Sequence, residues 1–135
     1  MTDFVSIPNL PLDKYFRRSY MASILNSVKL ALGILPEYTA FDDTIIMHIN
    51  SVFSILTQLG VGPDDGFSIA DSTADWSEYI SNDAQLNMVQ TYMNKKVGLM
   101  FDPPLSSAVM ESQKNIISEL EWRLNVAVDP KPKEE

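Results

Sequence analysis

The sequence predicts an all-α protein, a compact bundle of about four main helices, and three observations support this expectation. Apolar residues recur at every third or fourth position in four segments, a spacing that places them on one face of a helix. Capping residues, glycines and prolines stand at the ends of these segments, where helices begin and stop. The chain has 135 residues, of which 45% are hydrophobic, and this is enough to enclose one core.

Helix 1 is predicted to begin at Ser19 or Ser23 and to run to Ala31. Gly33 is expected to stop it, because glycine readily adopts the left-handed conformation that ends a helix, and Pro36 follows. The residues expected on its buried face are Ile24, Leu25, Val28 and Leu32.

Helix 2 is predicted to begin at Asp42 or Asp43 and to close at Gly60. Either aspartate suits a helix N-terminus, because its carboxylate accepts hydrogen bonds from free backbone amides and faces the positive end of the helix dipole. The predicted buried face consists of Ile45, Ile49, Val52, Leu56 and Leu59, with Ile46 and Phe53 beside it.

Helices 3 and 4 are predicted to meet at a sharp corner with the sequence FDPP. Helix 3 begins after Asn82 or Asp83 and ends at Phe101, because Pro103 disfavours the helical conformation at Asp102. Asp102 is then expected to cap helix 4, with both prolines in its first turn. The expected buried faces are Leu86, Val89, Met93, Val97 and Met100 on helix 3, and Val109, Gln113, Ile116, Leu120 and Leu124, flanked by Met110 and Ile117, on helix 4.

Three further segments surround these helices. Residues 1–20 are predicted to form an N-terminal arm, and residues 129–135 a short polar tail that is expected to be flexible. A long acidic loop between helices 2 and 3 is rich in glycine, aspartate and serine, with a short helix predicted around 76–80. The helical domain is therefore expected to span residues 21–128.

The charge of the chain is unevenly distributed. Its net charge is −8, and residues 37–83 contain nine acidic residues and no lysine or arginine. The main basic stretch is KYFRR at 14–18. A protein that grips nucleic acid needs a basic surface to displace phosphate counterions, so tight nucleic-acid binding is not expected. Without a basic and apolar leader or a long apolar run, the chain is expected to be soluble and intracellular, with no membrane contact.

Residues that support catalysis or metal binding are sparse. There is no cysteine, and the one histidine, His48, lies inside helix 2, where packing is the expected role. No phosphate-binding glycine loop, dinucleotide fingerprint, serine elbow or zinc-protease motif occurs. The stretch GPDDGFSIAD lacks the ligand pattern of an EF-hand. The remaining alternative for metal binding is a cation held loosely by the acidic loop. We predict no catalytic, metal or cofactor site and no enzymatic activity.

Candidate interaction residues are concentrated in the arm, where cations alternate with aromatic residues. This pattern suits a strap that packs its rings on a partner while its charges meet carboxylates of the acidic region or of another protein. Exposed tryptophans are also frequent at interfaces. The predicted interface residues are Lys14, Tyr15, Phe16, Arg17, Arg18, Tyr20, Trp76 and Trp122. A frayed or self-packed terminus is the open alternative for the arm.

Four stretches of the chain also point to a family. They are TIIMHINSVFSILTQLGVGP (44–63), GFSI (66–69), FDPPLSSAVM (101–110) and ELEWRLNV (119–126). In this order and spacing the chain resembles small head-tail connector proteins of long-tailed phages and prophages of Gram-positive bacteria. No active-site residue carries over, because the matching positions, Phe101 to Pro104 and Glu121 to Leu124, determine shape.

The resemblance implies an all-helical adaptor, or head-completion protein, that forms a homo-oligomeric ring, dodecameric by resemblance, beneath the portal protein. The ring extends the channel, through which DNA passes only as cargo, and presents a surface to a downstream stopper or tail-completion protein. The implied location is the virion neck, and the host cytoplasm during assembly.

Two other classes of function stay open. A small intracellular helical module would capture a peptide or regulate a partner through a groove lined by methionines. A metal-assisted hydrolase would use the acidic residues of the loop and would require divalent-ion binding and turnover.

Overall fold

The computed structural model of the protein describes residues 20–128, and this part of the chain is helical without a β-strand. Its main helices are α1 (Ile24–Ala31), α2 (Asp42–Gln58), α3 (Asp83–Phe101) and α4 (Ser107–Val128), with a 3₁₀-helix at Trp76–Glu78 between α2 and α3. The predicted all-α fold is confirmed. Residues 1–19 of the predicted arm and the predicted tail lie outside the described residues.

Helix α3 lies at the centre of the bundle and packs against each of the other three α-helices. Helix α1 packs across α2 and α3, whereas α4 packs on α3. Burial of each large apolar side chain in this core contributes about 1.5–3 kcal/mol. The buried residues of α1 to α3 include Ile24, Leu25, Val28, Ile45, Ile49, Val52, Phe53, Leu56, Val89, Tyr92, Met93 and Val97.

The first two helices are capped in different ways. Helix α1 starts at the second of its two predicted positions, with the Ser23 hydroxyl accepting a hydrogen bond from a first-turn amide at 3.2 Å. Helix α2 follows Phe41 without a side-chain cap, so the predicted capping role of Asp42 or Asp43 is wrong. Both aspartates lie in the first turn, and the Asp42 carboxylate is paired with Lys29 at 2.7 Å instead.

The corner between α3 and α4 is longer than predicted. Helix α3 ends at Phe101, as expected, but α4 begins at Ser107, so the predicted cap at Asp102 is wrong. A proline disfavours the helical conformation in the residue before it, and the second proline therefore keeps the first one out of the helix. Ser106 supplies the cap, and its hydroxyl accepts a hydrogen bond from a first-turn amide at 3.3 Å.

The buried face of α4 is shifted from the predicted one. Ile117 is buried at 4% exposure and Leu124 is fully buried, whereas Ile116 is 39% exposed and Val109 is also exposed. Helix α4 packs mainly on α3, so only a narrow face of it is covered. Ile117 and Leu124, seven residues apart, lie on this face, and residues at its margin reach solvent. Met100, in the last turn of α3, is exposed as well, contrary to the prediction.

The loop between α2 and α3 is irregular but is fixed to the core. The Asn50 side chain bonds both backbone groups of Ile69, donating from Nδ2 at 3.0 Å and accepting at Oδ1 at 2.8 Å. The indole of Trp76 is buried and donates a hydrogen bond to Ser27 Oγ at 2.9 Å. The structure thus places Trp76 in the core and not at a surface, because its ring packs among other aromatic rings and its one polar atom is satisfied inside.

Candidate functional site

The predicted interface residues fall into three groups. Lys14, Tyr15, Phe16, Arg17 and Arg18, which we call the basic strap, lie outside the described residues. Tyr20 and Trp122 are exposed, and Trp122 is 64% exposed on the outer face of α4. Trp76 is a core residue, so the structure does not bring it to the same surface as the other two.

A string of aromatic rings lies where the α1–α2 connection meets the end of α3. The ring centroids of Tyr38 and Phe41 are 5.9 Å apart, and those of Phe41 and Phe101 are 5.4 Å apart. Tyr38 and Phe41 are exposed. In the sequence, Glu37 precedes Tyr38 and Asp43 follows Phe41 by two residues, and both acidic residues are exposed. We call this surface the acid–aromatic edge; it comprises Glu37, Tyr38, Phe41, Asp43, Phe101 and Asp102.

The edge is held in place by a buried ion pair. The Lys29 side chain, in the last turn of α1, is only 1% exposed. Its ammonium donates a hydrogen bond to the Pro36 carbonyl oxygen at 2.9 Å and lies 2.7 Å from Oδ1 of Asp42. These contacts tie the last turn of α1 to the start of α2 and so fix the connection that carries Tyr38 and Phe41.

A groove of about 440 Å³ adjoins the edge at Asp102. Its floor is the last part of α3, and its walls are the end of α1 on one side and the corner with the start of α4 on the other. Gly98 lies on the floor, where a Cβ atom would make an ordinary contact with Leu32 Cδ2 at 3.8 Å. Besides Leu32 and Gly98, the lining includes Lys95, Leu99, Pro104 and Val109.

A second exposed apolar surface lies on the outer face of α4. It is formed by Trp122 and Val126. Beside Trp122, the guanidinium of Arg123 lies 2.8 Å from the Glu119 carboxylate. Tryptophan is enriched among the residues that contribute most to protein–protein binding, so this surface is a candidate for contact with another protein.

Helices α3 and α4 are joined by a small polar network. The hydroxyl of Tyr92 donates a hydrogen bond to Glu121 Oε2 at 2.7 Å, and Lys96 Nζ lies 3.7 Å from the same oxygen. Burial raises the pKa of Tyr92, and the hydrogen bond with Glu121 raises that pKa further. The network fixes α4, and with it the Trp122 surface, on the bundle.

Within residues 20–128, the structure brings together no group of three or more histidine, cysteine, aspartate or glutamate side chains suited to a metal ion. His48 is half-buried in α2. Within the same range, no helix combines the length and the apolar composition that crossing a membrane requires.

Sequence reasoning missed the acid–aromatic edge and the ion pair behind it. Each acidic residue of the edge is visibly close to an aromatic residue in the sequence, but these short stretches are separated by most of α2 and α3. The packing of α2 on α3, with Phe41 against Phe101, brings them together.

Comparison with known proteins adds one match. Residues 24–131 match the model of a protein family described as phage connector protein. This range contains α1 to α4, the corner and the acid–aromatic edge. No curated protein and no solved structure matches the chain.

Proposed function

Because the chain belongs to the phage connector protein family, we propose that it is a structural protein of the phage neck that forms a ring beneath the portal. The match over residues 24–131 carries this proposal, since it covers all four main helices and most of the chain. In this role the protein is not an enzyme and needs no cofactor. It resides in the virion after assembly in the host cytoplasm.

The arrangement of the helices suits a ring of identical copies. A ring requires heterologous contacts, in which one face of a copy meets a different face of the next. The acid–aromatic edge, at the end of α3, and the Trp122 surface, on the outer side of α4, are different faces, and each is available to meet a different surface of a neighbouring copy. Trp122, Tyr20 and the basic strap are the residues we assign to contacts with other copies or with the portal.

The charge of the chain suits passage of DNA. Residues 37–83 have nine acidic residues and no basic ones, and Lys29 neutralises only Asp42 among them in the described part. A surface of this kind repels phosphates and does not hold DNA as it slides through a channel. The side of the ring away from the portal would receive the stopper or tail-completion protein.

Co-expression with the cognate portal protein tests the proposal. We expect the two proteins to sediment together in a complex much larger than the portal alone. A peptide-binding module would stay monomeric and separate from the portal. A metal-assisted hydrolase would instead show divalent-ion binding and turnover. Either result would replace the proposed role.

A further inference from the structure

The acid–aromatic edge carries charges that its own surroundings leave uncompensated. In residues 20–128 the ion pairs within 4.0 Å are Lys29–Asp42, Lys96–Glu121 and Arg123–Glu119. Glu37, Asp43 and Asp102 are therefore without a lysine or arginine partner inside that range. All three carboxylates are exposed, each lies within two residues of an aromatic residue in the sequence, and the rings of Tyr38 and Phe41 are exposed as well.

The basic strap has the complementary composition. Lys14, Arg17 and Arg18 supply cations, and Tyr15 and Phe16 stand between them. Arginine pairs with carboxylates and also stacks on aromatic faces, so a basic and aromatic segment matches an acidic and aromatic surface in both respects. In the described part of the chain, Lys95 is the one cation in the groove next to Asp102, and it is not within 4.0 Å of that carboxylate.

We propose that the acid–aromatic edge of each copy binds the basic strap of a neighbouring copy. The contact rests on the proposed ring and names its partner surfaces. The strap cations lie against Glu37, Asp43 and Asp102, and the strap rings pack on Tyr38 and Phe41. The aromatic contacts add shape-dependent attraction to the charge pairing.

The strap and the edge are different parts of the molecule, which is what a contact repeated around a ring of identical copies requires. The strap leads into the start of α1, whereas the edge lies beside its last turn, where Lys29 reaches Pro36 and Asp42. The contact therefore joins two different surfaces of neighbouring copies. Such a heterologous contact, repeated from copy to copy, closes into a ring when the rotation allows.

Charge reversal on each side tests the contact. The strap variant combines Arg17→Glu with Arg18→Glu, and the edge variant combines Glu37→Lys with Asp102→Lys. The control matched to the edge variant combines Asp64→Lys with Asp65→Lys, which changes the net charge by the same amount and in the same direction as the edge variant, at exposed positions of the acidic loop. All variants are first checked for an unchanged helical circular dichroism spectrum and melting temperature.

Sedimentation velocity at low and high salt then measures self-association. We expect the strap and edge variants each to associate at least about tenfold more weakly than the wild type at low salt, and the control to associate as the wild type does. Mixing the strap variant with the edge variant should restore association, because opposite charges meet again in every contact between the two. Strap and edge variants that associate like the wild type would overturn the proposal, and so would a mixture that stays dissociated.

The same samples, with portal protein added, separate this inference from the proposed function. If the wild type and both variants assemble equally on the portal, the strap contact is wrong and the neck role stands. If the wild type neither self-associates nor binds the portal, the neck role itself fails. If only the strap and edge variants fail to assemble on the portal, both proposals are supported.

Discussion

The ion pair between Lys29 and Asp42 is predicted to be the most important polar contact for the stability of the described bundle. Replacing Asp42 with alanine leaves a lysine ammonium that is 1% exposed with only the Pro36 carbonyl as a partner. Removing one member of a buried ion pair costs about 3–5 kcal/mol, because the remaining charge is neither paired nor hydrated. We place Asp42→Ala near the lower end, about 3 kcal/mol, since the Asp42 side chain itself is 24% exposed.

Arg123→Ala is the matched control for this experiment. The Arg123–Glu119 pair has a similar distance, 2.8 Å, but its side chains are 54% and 60% exposed, and an exposed pair contributes only about 0–1 kcal/mol. The double variant Lys29→Met with Asp42→Ala should recover part of the loss, because it removes the buried charge along with its partner. Urea denaturation followed by far-UV circular dichroism measures all three variants. An Asp42→Ala variant no less stable than Arg123→Ala would refute the argument.

Three other predictions concern the core. Gly62→Ala should destabilise more than Gly33→Ala in thermal denaturation, because both glycines have φ +84° but only at Gly62 would a Cβ atom fall within 2.5–2.8 Å of an aromatic ring; equal losses would contradict this. Ile117→Asp should prevent folding, whereas Ile116→Asp should give a folded protein by circular dichroism, because Ile117 is buried and Ile116 is at the margin. The raised pKa of Tyr92 means that the folded protein favours the neutral phenol. Its contribution to the free energy of unfolding is therefore present below pH about 10 and is lost as the pH rises above that value. As the pH is raised from below about 10 to above it, the melting temperature should therefore fall less in Tyr92→Phe than in the wild type. Equal falls in the two proteins would contradict a stabilising role of the neutral Tyr92.

Local signals in the sequence were sufficient for most of the fold. Gly33 and Gly60 have positive φ angles just beyond the ends of α1 and α2, as expected of glycines that stop helices. The proline after Asp102 ended α3 at Phe101, and Asn82 caps its start by accepting a hydrogen bond from the amide of Gln85. Each of these features depends on residues within one turn of one another, and so one sequence is enough to predict them.

The errors arose where distant residues compete for a side chain. The Asp42 carboxylate is suited to cap α2, but Lys29 in the preceding helix pairs with it. The apolar residues of α4 include both Ile116 and Ile117, and their spacing alone does not show which of the two is buried. Packing on α3 buries Ile117 and leaves Ile116 partly exposed. Trp76 is predicted as an interface residue because tryptophans are frequent at interfaces, whereas the structure buries its ring and pairs its indole N–H with Ser27 in α1.

The candidate site was less predictable than the fold for the same reason. The strap was visible as an alternation of cations and aromatic residues, but its proposed acceptor is assembled from the α1–α2 connection and the end of α3. Trp122 is not part of the predicted buried face of α4, and the structure shows it exposed.

Electron microscopy of the wild-type chain bound to its portal protein tests the central claim most directly. Class averages should show an additional ring of copies, coaxial with the portal and extending its channel. The ring should be missing when the strap variant replaces the wild type, and present with the Asp64→Lys and Asp65→Lys control. A portal that carries no added density at saturating concentrations of the wild-type chain would contradict the account.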